Sequence, residues 1–481
     1  MTGSDSQKPT SLKRARGDSD GATADAPATA SSTTSAESHA AVPVPAPTPA
    51  PSASKRRKTK EPPAIPPVPD KPNQCHFLVK RKWRYCSLAA RKGKKYCGEH
   101  AHLDGSEAKP NDPRVPCPLD PNHTVQQSRI EEHLTKCNSR IVPVPYRVVD
   151  FNLVHAPFTY AVVPLQARSR DEIAALIAKV REAYEAMLAE HGPIELVELD
   201  HAALDDKKKV KGTWKHVRQQ ASLVAHLERI GALEKDRAFV EFGAGKGELG
   251  HYVQSALAAK SITAPFYTVD RSNFRLKFDR YMAVERLALD IKDLDLTKVE
   301  SLNLPVVALS KHLCGGATDL TLTCLGHYAD AVQPKEGISH VVIALCCHHR
   351  CSRETYVGMP WLERFGVSVD EVPVLGQMGG WAICGPERVA AAAEDGEEGE
   401  EPEHEVSAEE QAAAAAPGEH YSGLSHAERE EIGFMVKRVL DYGRVVWLKE
   451  HGMDGKLVYY VDRAVSLENC ALIAMPKRTA E

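Results

Sequence analysis

No stretch of this 481-residue chain is apolar for the length a membrane-spanning helix needs, and its opening MTGSDSQKPTSLKRARGD lacks the apolar core of a secretory leader. A soluble intracellular protein without a membrane partner is expected. Aromatic residues are scarce at 6% of the chain, and residues 1–70 hold almost none among their Ala, Pro, Ser and Thr. Such a composition buries too little surface to offset the entropy of ordering, so a disordered tail is expected over 1–70. Lys and Arg are missing altogether from 390–418, where ten acidic side chains gather, and this segment reads as a disordered, solvated insert. The net charge of -4 conceals that asymmetry between a basic N-terminal third and an acidic insert. Within the tail, KRRKTK at 55–60 fits a nuclear import signal as well as a solubilising or RNA-contacting patch, leaving the nucleus, the cytoplasm or both as the expected location.

What the chain does have is cysteine. In a reducing compartment its twelve cysteines, many clustered with histidine, are read as metal ligands or active-site groups before disulfides. Cys75, Cys86, Cys97 and His100 fall at C-x10-C-x10-C-x2-H, a CCCH zinc finger expected over 71–104. The segment is too short and too charged to form a core without a metal. Between Lys71 and His100 nine Lys or Arg face the single Glu99, with Phe77, Trp83, Tyr85 and Tyr96 interleaved. That combination neutralises phosphates and offers stacking faces, while the same aromatics also suit the finger's own small core. Cys117, His123, His133 and Cys137 follow at C-x5-H-x9-H-x3-C, a CHHC finger over 112–142 whose last two ligands lie one helical turn apart. Both clusters supply four protein ligands and so read as two structural zinc ions without an open catalytic position. His102 belongs to neither pattern and reads as a surface histidine.

Helical periodicity runs through 170–190 (Ile173, Leu176, Ile177, Val180, Ala183, Leu188) and again through 219–233. Short apolar runs at 238–242, 266–269, 287–291, 306–309 and 341–345 are then separated by helix-length segments, predicting an α/β domain with a doubly wound, Rossmann-like parallel sheet over 165–480. In FVEFGAGKGELG (239–250), Glu241, Gly243, Gly245 and Gly247 form an E-x-G-x-G-x-G turn between strand and helix. The same glycines suit a dinucleotide pyrophosphate. Glu241 tilts the reading to S-adenosylmethionine, because a carboxylate answers that cofactor's positive amino-acid portion and opposes a pyrophosphate. Asp270, at the tip of the second strand, is expected to accept from ribose hydroxyls. Asp290 at the end of the third, with Ile291, is expected to frame the adenine.

Ligands of open α/β sheets sit outside the carboxyl ends of the strands, so SKHLCGGATDL (310–320) and ALCCHHRC (344–351) should line the same cleft. Lys311, His312 and Asp319 are the candidate catalytic residues. Either a desolvated Lys311 or His312 suits a general base, and the sequence leaves that choice open. Cys346, Cys347, His348, His349 and Cys351 read as a packed, hydrogen-bonded wall in preference to a third metal site, because adjacent strand residues point to opposite faces. The basic DKKKVKGTWKHVRQQ (206–220) fits phosphate contacts or a lysine-rich linker.

With the two fingers, VEFGAGKGEL, KHLCGGATDL, ALCCHH and the terminal SLENCALIA, the chain from Cys75 onward resembles the eukaryotic tRNA 2'-O-methyltransferases that modify nucleotide 4 of the acceptor stem. KHLCG with CCHH also echoes methyltransferase-like proteins without an RNA substrate, and the fingers separate the two groups. The resemblance implies S-adenosylmethionine as donor, the tRNA acceptor stem as partner, and no DNA. Two rival readings remain at this stage: a zinc-finger RNA-binding protein with an inactive methyltransferase-like domain, and a methyltransferase acting on protein or a small molecule.

Overall fold

The computed structural model describes most of residues 67–100, 112–271, 278–332, 337–383 and 420–477. The tail at 1–66, His102, Trp83, the KRRKTK run and the acidic insert lie outside the described residues. The chain divides into two compact units, 1–108 and 109–481. No helix among the described residues is long and apolar enough to cross a membrane.

The first unit carries the CCCH segment. Strands β1 (Leu78–Val79) and β2 (Arg84–Tyr85) pair antiparallel. Among the described residues its core cluster is the three cysteines Cys75, Cys86 and Cys97 with Phe77, Val79 and Tyr96 against them. A core this small cannot hold a fold unaided, which is the physical reason for a metal.

In the second unit, β3 (Arg114–Cys117) and β4 (Asp120–Gln126) form a hairpin, followed by the short helix α1 (Ile130–Leu134). After it comes a long capped helix, α2 (Arg170–His191), then α3 (Asp205–Lys208) and α4 (Trp214–Arg229). Ser169 and Glu172 form a reciprocal capping box at the start of α2, and its Ile173, Leu176, Val180, Ala183 and Met187 are buried at helical spacing.

The sheet contains β5 (Ala238–Phe242), β6 (Phe266–Val269), β7 (Glu285–Leu287), β8 (Val306–Cys314), β9 (Ile338–Cys346), β10 (Met453–Tyr459) and β11 (Cys470–Pro476). Its order is β10-β11-β9-β8-β5-β6-β7, with β5 to β9 mutually parallel and β11 antiparallel to both β9 and β10. Between them run α5 (Glu248–Ala259), α6 (Gly315–Ala331), α7 (Met359–Glu363), α8 (Val372–Gly379) and α9 (His426–Glu450). The expected doubly wound domain is present, with a C-terminal antiparallel hairpin that the five apolar runs did not announce. Three of those runs differ in extent, the fifth being longer at both ends as β9. The third strand ends at Leu287, because Asp290 caps a 3-10 turn over Ile291–Asp293. The fourth runs on to Cys314, with its pairing to β9 shifted between Ser310 and Leu313.

The order of strands places the functional cleft. From β5 the chain winds outward to β6 and β7, then returns to β8 on the other side of β5, so the topological switch lies between β5 and β8. The segment 144–164, which the sequence assigned to no module, is bound onto this domain. Asn152 Nδ2 donates to the carbonyls of Ile291 at 2.6 Å and Leu294 at 2.7 Å, and the Arg353 guanidinium stacks on Phe158 and Tyr160.

Candidate active site and metal centres

The turn after β5 requires its glycines. Gly243, Gly245 and Gly247 have φ of 61°, 53° and 72°, the left-handed region that a Cβ disfavours. At Gly243 a Cβ would also lie 3.1 Å from the His312 carbonyl, so the turn touches β8 there. At Gly245 a Cβ would meet nothing within 4 Å, the open side on which a ligand can approach the backbone.

Two predicted carboxylates brace this turn. Asp270 accepts from the Gly245 amide at 2.8 Å. Glu241 is 3% exposed and accepts from the Gly250 amide in the first turn of α5 at 3.0 Å, which ties strand to helix. Burial pushes the Glu241 carboxyl up to about 8. Asp290 holds the 3-10 turn after β7, accepting from Lys292 N at 3.1 Å. Sequence reasoning missed Arg286 and Asp279, whose ion pair of 2.7 Å lies over the turn. Arg286 Nη2 donates to the Gly245 carbonyl at 3.3 Å, and a Cβ on Gly247 would come 3.0 Å from Asp279 Oδ1.

Across the switch point, Lys311 Nζ lies 2.8 Å from Nδ1 of His216, a residue of α4 that the sequence hid inside a basic run. His312 is the exposed neighbour of Lys311. The rest of that basic run is largely committed to acids within the domain. Lys208 pairs with Asp200 and Asp205, both at 2.7 Å, Lys209 with Asp206 at 2.7 Å, Arg218 with Glu198 at 2.6 Å, and Lys207 with Glu248. These pairings favour the linker reading of the segment.

Asp319, expected among the catalytic groups, does not reach the cleft. Gly315 opens α6 directly, at a position where a side chain would collide with Cys351 Sγ at 2.8 Å. Asp319 is thereby carried one turn into the helix, where it is fully buried, with Arg444 of α9 donating to its two oxygens at 3.0 and 2.8 Å. Arg444 also donates to Asp441 Oδ1 at 2.9 Å, the Gly315 carbonyl at 3.1 Å and Cys351 Sγ at 3.2 Å. His348 Nε2 meets Asp441 Oδ1 at 2.7 Å. His348 and Cys351 thus form the expected hydrogen-bonded wall, held from α9, an element the sequence offered no reason to bring there.

The metal clusters assemble as their spacing requires. Cys75, Cys86, Cys97 and His100 bring their ligand atoms within 4.8 Å of one another, with His100 Nδ1 3.3 Å from Cys97 Sγ and the ring stacked on Phe77 at 3.9 Å. Cys117, His123, His133 and Cys137 meet the same spacing, both imidazoles presenting Nε2. The other nitrogen of His123 lies 3.4 Å from Asp120 Oδ2, the kind of contact that fixes a metal ligand's tautomer. Two sulfurs with two imidazoles, and three with one, are donor sets that suit tetrahedral zinc.

A seven-stranded sheet of this order, with a glycine turn at its switch point, defines a Rossmann-like domain with its ligand cleft outside the strand ends, and the match to a methyltransferase family over 218–475 makes it a methyltransferase domain. The particular family follows from the whole chain. The chain belongs to the TRM13 methyltransferases: the family description "Methyltransferase TRM13" matches residues 218–475, "CCCH zinc finger in TRM13 protein" matches 73–101, and "U11-48K-like CHHC zinc finger" matches 114–138. A mouse protein named "tRNA:m(4)X modification enzyme TRM13 homolog" is 34% identical over 462 residues, covering 84% of this chain and 94% of its own length. Its human counterpart is 34% identical over 465 residues, covering 85% and 95%. The Saccharomyces cerevisiae "tRNA:m(4)X modification enzyme TRM13" is 28% identical over 476 residues, covering 84% and 96%.

Proposed function

We propose that this chain transfers a methyl group from S-adenosylmethionine to the ribose 2'-hydroxyl of nucleotide 4 in the tRNA acceptor stem. The observation that carries this reading is the pair of Lys311 on β8 with His216 on α4, β8 being the strand whose His312 carbonyl touches the glycine turn. The names of the relatives, which call them tRNA modification enzymes, and the two fingers support tRNA as the acceptor.

Held at the turn of Gly243, Gly245 and Gly247, S-adenosylmethionine would supply the methyl group, its thioether being the leaving group when the acceptor oxygen displaces it. Lys311 Nζ takes the hydroxyl proton in that displacement, and His216 Nδ1 fixes the position of Nζ by hydrogen bonding to it. Asp270 and Glu241 keep the turn in shape by accepting from the Gly245 and Gly250 amides. An A-form stem displays its 2'-hydroxyls in a wide, shallow minor groove, so the acceptor needs no base extruded. The KRRKTK run at 55–60 fits nuclear import as well as RNA contact, so nuclear and cytoplasmic locations are both proposed.

The test is mass spectrometric mapping of total tRNA after incubation with the enzyme and labelled donor. A ribose methyl at nucleotide 4 is expected. Label on a base, at another nucleotide, or in protein but not tRNA overturns the reading, and absence of calorimetric S-adenosylmethionine binding would leave only an RNA-binding scaffold.

A further inference from the structure

Beyond the two fingers, one more group of ligand atoms converges among the described residues. Cys314, the last residue of β8, meets Cys346 and Cys347 at the end of β9, and their three sulfurs lie within 4.8 Å of one another, the spacing that both finger clusters show. The pairing of β8 with β9 brings Cys314 directly opposite Cys346. Cys347 completes the group by leaving the strand with φ of 49°, a left-handed conformation that costs a non-glycine residue free energy. That kink removes the objection that neighbouring strand residues face opposite ways. Cys351, by contrast, is no member, since its sulfur is held by Arg444 at 3.2 Å.

We propose that Cys314, Cys346 and Cys347 bind a third zinc ion, with no fourth protein ligand in the group among the described residues. Three thiolates select a soft or borderline cation, and the absence of any carboxylate from the set excludes magnesium, calcium and manganese. Cys346 and Cys347 are buried, whereas Cys314 is half-buried, so the group meets solvent on that side. Three ligands among the described residues, with one side of the group towards solvent, suit a site that takes water or an exchangeable ligand, in contrast to the four-ligand fingers. His312 and Lys311 precede Cys314 on the same strand, which sets the ion at the edge of the methyl-transfer cleft. The site does not depend on which hydroxyl the enzyme methylates.

The experiment is native mass spectrometry of the full-length protein, purified under reducing conditions in zinc-supplemented buffer. The wild type should carry three zinc ions per chain, and the variants Cys314→Ser and Cys347→Ala two each. Calorimetric binding of S-adenosylmethionine by Cys314→Ser, at wild-type affinity, shows that the loss of metal is not a loss of fold. Two ions in the wild type, three in both variants, or a wild-type mass lowered by a disulfide in place of a third ion would each overturn the site.

Discussion

Lys311 Nζ and His216 Nδ1 lie 2.8 Å apart across 95 residues of sequence, one in the C-terminal half of a central strand and the other in the first turn of the helix ahead of the sheet. An imidazole nitrogen acting as acceptor fixes an amine in position without adding charge. Replacing Lys311 with Ala should therefore lower the transfer rate by about 10²–10⁴-fold, the range of a lost general base, while S-adenosylmethionine binds as before. His216→Ala should fall between the wild type and that variant. Single-turnover rates alongside calorimetry separate the two steps, and near-normal turnover by Lys311→Ala removes it as the base.

The buried carboxyl of Glu241 makes stability depend on pH. Its pKa rises from 4.5 to about 8 through burial, so between those values the folded protein holds a proton that the unfolded chain has released. The unfolded state then binds fewer protons, and stability must fall as pH rises through that window, by an amount on the order of a few kcal/mol in total. Glu241→Gln keeps an acceptor for the Gly250 amide but cannot ionise. Cofactor-free wild type should lose melting temperature from pH 5 to pH 8 more steeply than this variant. Parallel curves would show that Glu241 titrates normally.

The glycine turn separates ligand approach from packing. Gly245→Ala adds a methyl into open space at a φ of 53°, so the fold should survive with modest strain while cofactor affinity drops at least tenfold. Gly250→Ala instead puts a Cβ 2.6 Å from Glu241 Oε2 and 2.8 Å from the Phe266 ring, and should destabilise the domain by about 1–3 kcal/mol. Urea unfolding and cofactor titration of both variants check the contrast. Equal loss of affinity at equal stability would contradict it.

How much of this could be read without coordinates differs by element, for physical reasons. The fingers and the strands β5 and β6 are local patterns: ligand spacing and short apolar runs fix them, and the strands appear with the bounds that their sequences suggest. The glycine turn was legible because positive φ leaves a residue signature. Asp319 was misassigned because its sequence neighbourhood does not show that Gly315 opens a helix, nor that Arg444 arrives from beyond the acidic insert. His216 was hidden by composition, since a basic run looks the same whether its lysines meet phosphates or, as Lys207, Lys208 and Lys209 do, nearby acids. The hairpin of β10 and β11 escaped because β10 alternates buried and exposed residues from Met453 to Leu457, a weaker signal than a continuous apolar run.

Arg444 offers the sharpest test of the buried wall. Its guanidinium joins Asp319 on α6 to Asp441 on its own helix, all three side chains are almost wholly shielded from water, and His348 closes the network at Asp441. Removing one partner of a buried ion pair leaves an uncompensated charge, which costs about 3–5 kcal/mol. Arg444→Ala should therefore destabilise the domain by that order. Arg444→Lys should restore little of it, because a single ammonium cannot reproduce the paired hydrogen bonds to Asp319. The double variant Asp319→Asn with Arg444→Met removes both charges and should be less damaging than Arg444→Ala alone. Denaturant unfolding of these three proteins, with the single variants Asp319→Asn and Arg444→Met beside them, gives the comparison. If the double variant is destabilised by the sum of its single changes, the two residues do not act as a pair and the wall is held some other way.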